Sequence, residues 1–419
     1  MAILGLAWKS LRNRRFTAAL TVASIALSVA LLVGVERIRH QAKASFTNTI
    51  SGTDLIVGAR SGPIQLLLYS VFRVGNPANN VSWQSWQAIA AHPKVAWTIP
   101  LSLGDSHRGY RVLGTTLDYF AHYRFARDRG LELAEGEPFA DLYDAVLGAG
   151  VAEALGYQIG QSIVIAHGAG DVSFARHDDK PFRVAGILAR TGTPVDRTVH
   201  VSLEAIEAIH SDWQGGSPMP GQSVTAEQAR ALDLTPKAIT AGLVGLKSRV
   251  ATFQVQRFVN DYRQEPLLAI LPAVALGELW GLIGVAEGAL LVVSVCVVVV
   301  GLFGMLTALL TSLNERRREM AILRSVGARP LHVFALIMGE AFVLSLTGVV
   351  LGLALLYGLL AAVQPLLESR FGLFMVLGLP SASELLLLAA VVLAGAVVGS
   401  IPAYRAYRLS LADGLSIRV

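Results

Sequence analysis

The sequence predicts an α-helical membrane protein with four transmembrane helices and a large extracytoplasmic α+β domain inserted between the first and second. Three observations carry that prediction. Four apolar stretches reach membrane-spanning length, they are grouped as one near the start and three near the end, and residues 36–282 between them mix polar and apolar character. The composition agrees: the 419 residues are 53% hydrophobic and 16% charged, with a mean hydropathy of +0.54. That is too apolar for an ordinary soluble protein and too charged for one lying wholly in lipid. The net charge of +5 calls for no nucleic acid partner, because cytoplasmic flanks of membrane spans collect Lys and Arg. The single cysteine, Cys296, lies in an apolar run, so the inserted domain must stand on its own core without an intramolecular disulfide.

In chain order, residues 1–16 read as a cytoplasmic amphipathic helix carrying Lys9, Arg12, Arg14 and Arg15. A span needs about 20 apolar residues to cross roughly 30 Å of hydrocarbon. Residues 17–35 supply the first, expected as a retained anchor because the stretch is long and no small-x-small cleavage site follows. Residues 284–313, 333–363 and 384–401 supply the other three, and the second and third spans exceed the minimum, so they should tilt or project. Residues 314–332 form a cytoplasmic helix and turn, 364–383 a short periplasmic loop, and 402–419 a cytoplasmic tail. Orientation follows from charge. The amino terminus, the loop after Asn314 and the tail (Arg405, Arg408, Arg418) are basic, whereas the loop before the last span holds only Arg370 beside Glu368. Both termini are therefore expected in the cytoplasm. Most Lys and Arg residues lie in the inserted domain, which long translocated domains tolerate.

Residues 36–282 read as an extracytoplasmic α+β domain with two subdomains and a helical stalk over residues 36–50. Thr53–Val57, Tyr110–Leu113, Ser162–Ala166 and Phe182–Leu188 have strand character, and Ser82–Ala91 is a short helix with Trp83 and Trp86 on one face. Gly168–Asp171 and Gly215–Gly221 are loops, and the helical period returns over Val224–Ala231 and Phe253–Tyr262. The apolar run from Asp54 to Phe72 is either core or a lipophilic surface for a substrate or partner.

The segment Asn314–Leu331 is the most informative in the chain. Glu315 can pair with Arg318 and Glu319 with Arg316 at i, i+3 spacing, while Met320, Leu323 and Val326 form an apolar stripe beside Ala321 and Ile322. Gly327 provides a left-handed helix stop and Pro330 prevents continuation. The result is a short amphipathic helix tethered between two spans, either an anchor in the bilayer surface or a docking site for a partner. Glu287 opens the second span and Glu340 sits in the third. Carboxylates at such depths face protein or water, and Glu340, about two turns beyond the loop, is placed to contact it. Gly348/Gly352 and Gly395/Gly399 are small-xxx-small pairs that allow close helix approach.

The stretch Glu-Arg-Arg-Arg-Glu-Met-Ala-Ile-Leu-Arg-Ser-Val-Gly-Ala-Arg-Pro, residues 315–330, resembles the signature of the MacB/FtsX-type ABC transporter permeases, as does Ile-Pro-Ala-Tyr-Arg-Ala-Tyr-Arg-Leu from Ile401 to Leu409. The order of one span, outer domain and three spans is similar too, although Leu411–Leu415 departs from the family's usual ending. The resemblance implies a mechanotransmission subunit of the bacterial inner membrane. Two copies of a separate ABC ATPase would bind ATP and Mg and grip the loop, and a second permease copy would complete a homodimer. Glu315, Arg316, Arg317, Arg318, Glu319, Met320, Leu323, Arg324, Gly327, Ala328 and Arg329 are the coupling residues it points to. A periplasmic adaptor or a lipoprotein would be a further partner, whether the system exports or relays a substrate or extracts a lipoprotein. An FtsX-like signalling regulator of an extracytoplasmic enzyme is the alternative.

No cofactor is expected in this chain. It contains no G-x-x-x-x-G-K-[ST] phosphate loop, so the motor is expected in another polypeptide. No catalytic residues are identifiable, and the chain reads as a non-catalytic membrane subunit. His167, with His177, Asp178 and Asp179, offers imidazole and carboxylate groups within one hairpin-sized segment, as zinc accepts. A solvated polar loop explains the same residues, and a metal-linked transport role follows only from the first reading.

Overall fold

The computed structural model describes residues 15–126, 128–168, 175–214, 217–218, 224–371 and 378–408. The helix expected over residues 1–16, except its last two residues, and the tail beyond Arg408 lie outside the described residues. The chain forms two compact units. One gathers Met1–Ala42, Gly284–Leu366 and Met375–Val419; the other gathers Lys43–Ile283 and Leu367–Phe374.

The first unit is helical, made of most of α1 (Arg15–Asn48), most of α2 (Pro272–Glu315), the short α3 (Arg317–Ser325), most of α4 (Pro330–Phe371) and α5 (Ala382–Arg408). All but α3 are long and apolar enough to cross a membrane. At 1.5 Å per residue the 44 residues of α2 reach roughly 66 Å, about twice the hydrocarbon thickness. Their outward faces stay apolar, with Leu290, Val292, Phe303, Leu355 and Val397 all exposed, as a lipid-facing surface requires. Two helices run further than expected. The third span continues through Pro365 to Phe371, into the segment expected as a loop, and the fourth passes Pro402 and reaches Arg408. Membrane helices accommodate such prolines because neighbouring groups satisfy the freed carbonyls.

The glycine pairs are used inside the chain. A Cβ on Gly352 would lie 2.6 Å from the Ala26 carbonyl oxygen, and one on Gly348 2.6 Å from Ile25 Cγ2, so α4 rides directly on α1. A Cβ on Gly399 would lie 2.3 Å from that of Ala341, which sets α5 equally close to α4.

The second unit is built on a 12-stranded sheet. Its strands are β1 (Leu55–Ala59), β2 (Val95–His107), β3 (Tyr110–Thr115), β4 (Leu133–Gly136), β5 (Asp144–Leu147), β6 (Ser162–Ile163), β7 (Ala166–His167), β8 (Ala175–Arg176), β9 (Phe182–Leu188), β10 (Thr198–Ser202), β11 (Ala241–Leu246) and β12 (Leu267–Ile270). The order is β12-β1-β11-β2-β3-β10-β5-β9-β4, with β7 pairing β2 and β8, and β6 pairing β9. This one sheet has two lobes. The 13-residue β2 belongs to both, its first half pairing with β11 and its second with β3 and β7.

One core holds Ile56, Leu66, Tyr69, Ile99 and Leu243, and another holds Val112, Leu147, Phe182, Val184 and Ile209. The apolar run after Asp54 is core: every residue of β1 is buried, as are Leu66, Leu67, Val71 and Phe72. The helix Trp83–Ala90 starts at Ser82, whose hydroxyl accepts the Ser85 N–H, and turns Trp86 onto Gly242. Only glycine leaves room there, since a Cβ would lie 1.9 Å from the indole.

Candidate functional site

The loop between α2 and α4 is organised around Arg316. Helical geometry breaks at this residue (φ −99°, ψ 11°), and its guanidinium reaches back into the bundle. Nη1 donates to Glu340 Oε1 at 2.7 Å and Nε to Glu319 Oε2 at 2.7 Å. Arg316 and Glu340 are both buried, so each removes the other's unpaired charge. The α3 helix then packs Met320 with Leu313, Val333, Ile337, Ala403 and Ala406, and Ala321 is buried beside it in sequence. Its end is a Schellman motif: Gly327 adopts φ +103°, its N–H donates to the Arg324 carbonyl, and the Ala328 N–H donates to the Leu323 carbonyl. His332 Nδ1 then accepts the Arg329 N–H and caps α4.

This divides the sequence-derived set. The apolar stripe does not act as one surface: Met320 points into the bundle, while Leu323, Val326 and Ile322 are exposed together with Leu331. A nine-residue helix cannot turn residues 320 and 323 fully to one side when its neighbour Ala321 is also held inward. Arg316 is committed to Glu340, whereas Arg318, Glu319 and Arg329 lie on the open face. Arg324 and Ala328 are half-buried, and the side chain of Arg317 lies outside the described residues.

Near the far ends of these helices two further ion pairs tie the bundle. Arg37 Nε donates to Glu384 Oε1 at 3.0 Å with both side chains buried, and its Nη2 reaches the Tyr357 hydroxyl at 2.9 Å. Glu384 also accepts the Ser381 N–H, so the same carboxylate caps α5. Arg39 pairs with Glu287 at 3.2 Å. The Arg37–Glu384 pair escaped the sequence reading. Its only signal was a charge at the margin of each apolar run, Arg37 between Glu36 and Arg39, and Glu384 by itself.

In the outer unit, His167 finds partners distant in sequence. Antiparallel pairing of β7 with β2 sets His167 opposite Asp105, and a bulge in β2 after Leu103 re-aims its chain there. His210, at the end of the helix Leu203–Ile209, completes a triangle. His167 Nδ1 lies 3.1 Å from Asp105 Oδ1 and 3.1 Å from His210 Nε2, and His210 Nε2 lies 3.4 Å from Asp105 Oδ1. His177 packs its ring 5.1 Å from His210, and the Trp213 indole lies within 5.3 Å of all three imidazoles.

Asp178 and Asp179 lie outside this triangle. Both are exposed, and Asp179 pairs with the fully buried Lys180 at 2.8 Å. Burial would raise the Asp105 carboxyl, but the contacts with His167 and His210 outweigh it and hold it at about 2. Burial, with the charges of His210 and Lys180, lowers His177 to about 4, so its ring is neutral at pH 7.

Four apolar helices in a one-plus-three order around an inserted α+β domain, with a clamped charged helix between two of them, define a multi-pass membrane protein of permease type. Residues 18–255 match the MacB-like periplasmic core domain and residues 291–411 the FtsX-like permease C-terminal domain, so the chain belongs to the MacB/FtsX-like permease family. It is 24% identical to the macrolide export ATP-binding/permease protein MacB of Nitrobacter winogradskyi, over 95% of this chain and 57% of that protein. The MacB of Hahella chejuensis is also 24% identical, over 98% of this chain and 59% of the relative. The chain thus spans under two thirds of the length of these relatives. Among solved structures, the periplasmic region of MacB from Actinobacillus actinomycetemcomitans aligns with 58% of this chain and 96% of its own, at 11% identity and a TM-score of 0.33. The extracellular domain of the noncanonic ABC-type transporter YknZ from Gram-positive bacteria covers 52% of this chain and 98% of its own, at 12% identity and a TM-score of 0.30.

Proposed function

We propose that this chain is the permease subunit of an ABC transporter that passes ATP-driven motion from a separate ATPase subunit to its outer domain. The observation that carries the reading is the state of α3. The helix is locked to the bundle by Arg316–Glu340 and by Met320 and Ala321, yet it presents Ile322, Leu323, Val326 and Leu331 with Arg318 and Arg329 outward. An exposed apolar strip rimmed by charge suits a protein groove. A load applied there passes into α2 and α4, because the buried ion pair joins the start of the loop to α4. The family supports an ABC ATPase as the partner, and the chain itself acts as a non-catalytic membrane subunit.

The full reading places the protein in the bacterial inner membrane, with α3 and both termini on the cytoplasmic side. Two ATPase copies and a second permease copy would complete the assembly. The outer domain would then work on an extracytoplasmic substrate with an adaptor, or on a lipoprotein. Reconstituting the chain in nanodiscs with its ATPase subunit tests this. Stimulated hydrolysis that is lost in Leu323→Asp and in Arg317→Glu supports the reading; full stimulation in both variants refutes it.

A further inference from the structure

We infer that Asp105, His167 and His210 bind one divalent transition-metal ion of the zinc class, with the His177 ring packed alongside. The three donor atoms sit at separations of 3.1, 3.1 and 3.4 Å. Metal–ligand bonds of about 2.0–2.1 Å at a tetrahedral centre place ligand atoms roughly 3.3–3.4 Å apart, so the triangle has the size of one tetrahedral face. These atoms form one compact group of possible ligands among the described residues. A cation at the centre of the face serves all three.

The surroundings fit the same reading. His210 Nδ1 donates to the Ile206 carbonyl at 2.9 Å, so the neutral imidazole has its lone pair on Nε2, the arrangement a backbone carbonyl commonly sets behind a metal-bound histidine. His177 is 2% exposed, and among the described residues its buried Nε2 has no hydrogen-bond partner. Trp213 packs against the three imidazoles and shields the site on one side. Two imidazoles and one carboxylate select zinc-like ions over calcium or magnesium, which require mostly oxygen ligands. With three protein ligands, a tetrahedral ion there keeps one coordination position open. It lies wholly within the outer unit, and its loss would leave the α3 contacts intact.

The test is titration of ZnCl2 into the full chain, tag-free and chelator-stripped in nanodiscs, in competition with a chromophoric chelator. One equivalent per chain should bind. His167→Gln and His210→Gln should each weaken affinity by roughly 100-fold or more, since even supporting partners of metal ligands are worth about 10–100-fold. His167 is 40% exposed, so its variant should keep the metal-free melting temperature. Cu2+ should quench the emission of wild type more than that of Trp213→Phe, which retains zinc stoichiometry. No saturable uptake would overturn the site, as would equal affinity in wild type and both histidine variants.

Discussion

Arg316 ends α2, starts α3 and binds α4 through Glu340, so one side chain sets the geometry of the whole loop. Removing one member of such a pair strands the other in a buried place. Glu340→Gln should therefore cost about 3 kcal/mol, while the exchanged pair Arg316→Glu with Glu340→Arg recovers part of that loss. Thermal melts in detergent read both. A second residue reports on the outer domain. His200 is fully buried against Tyr119, with Nδ1 at the Val146 carbonyl and Nε2 without a partner among the described residues. Burial, then the charge of Arg73, lowers it to about 3. Its folded value lies below the ordinary 6.5, so it contributes stability that is present above pH 6.5 and lost as pH falls from there toward 3. The loss approaches about 1.4 kcal/mol per pH unit. Hydrogen exchange of β10 between pH 7.5 and 5, with chelator present, should show that decline. In His200→Leu it should be shallower.

At the scale of elements, the membrane helices are held by close backbone approach. Gly352→Leu or Gly399→Leu should separate α4 from α1 or from α5 and cost about 1–3 kcal/mol, read as lower melting temperatures. Ala substitutions should be milder. These elements were also the most legible in the sequence, because about 20 apolar residues with basic flanks admit few other readings. Gly327 and Pro330 likewise announced the end of α3, and the structure realises that end as a left-handed glycine.

The inner orientation of Met320 was hidden, since a nine-residue amphipathic helix does not reveal which flank its tertiary neighbours cover. Most of the sheet was hidden too. Leu133–Gly136 and Thr198–Ser202 are short, and the long β2 contains Pro100 and Gly104, which read as breaks. The triangle of Asp105, His167 and His210 depends on pairing across 62 and 43 residues, and local spacing carries no trace of it. Asp178 and Asp179 looked better placed only because they were near in sequence.

At the scale of the whole molecule, the clamped, partly exposed α3 lies between two long membrane-type helices, and the sheet-based domain is inserted in the chain between α1 and α2. The central claim is that α3 is where an ATPase partner acts. The direct measurement is ATP hydrolysis by that partner, alone and with this chain in nanodiscs, comparing wild type with the double variant Ile322→Asp/Leu323→Asp. Both side chains are exposed, at 51% and 38%, so the double variant should fold with an unchanged melting temperature. The account predicts stimulation by wild type and hydrolysis at the partner's own basal rate with the variant. Equal stimulation by both would place the coupling surface elsewhere on the chain and contradict the claim.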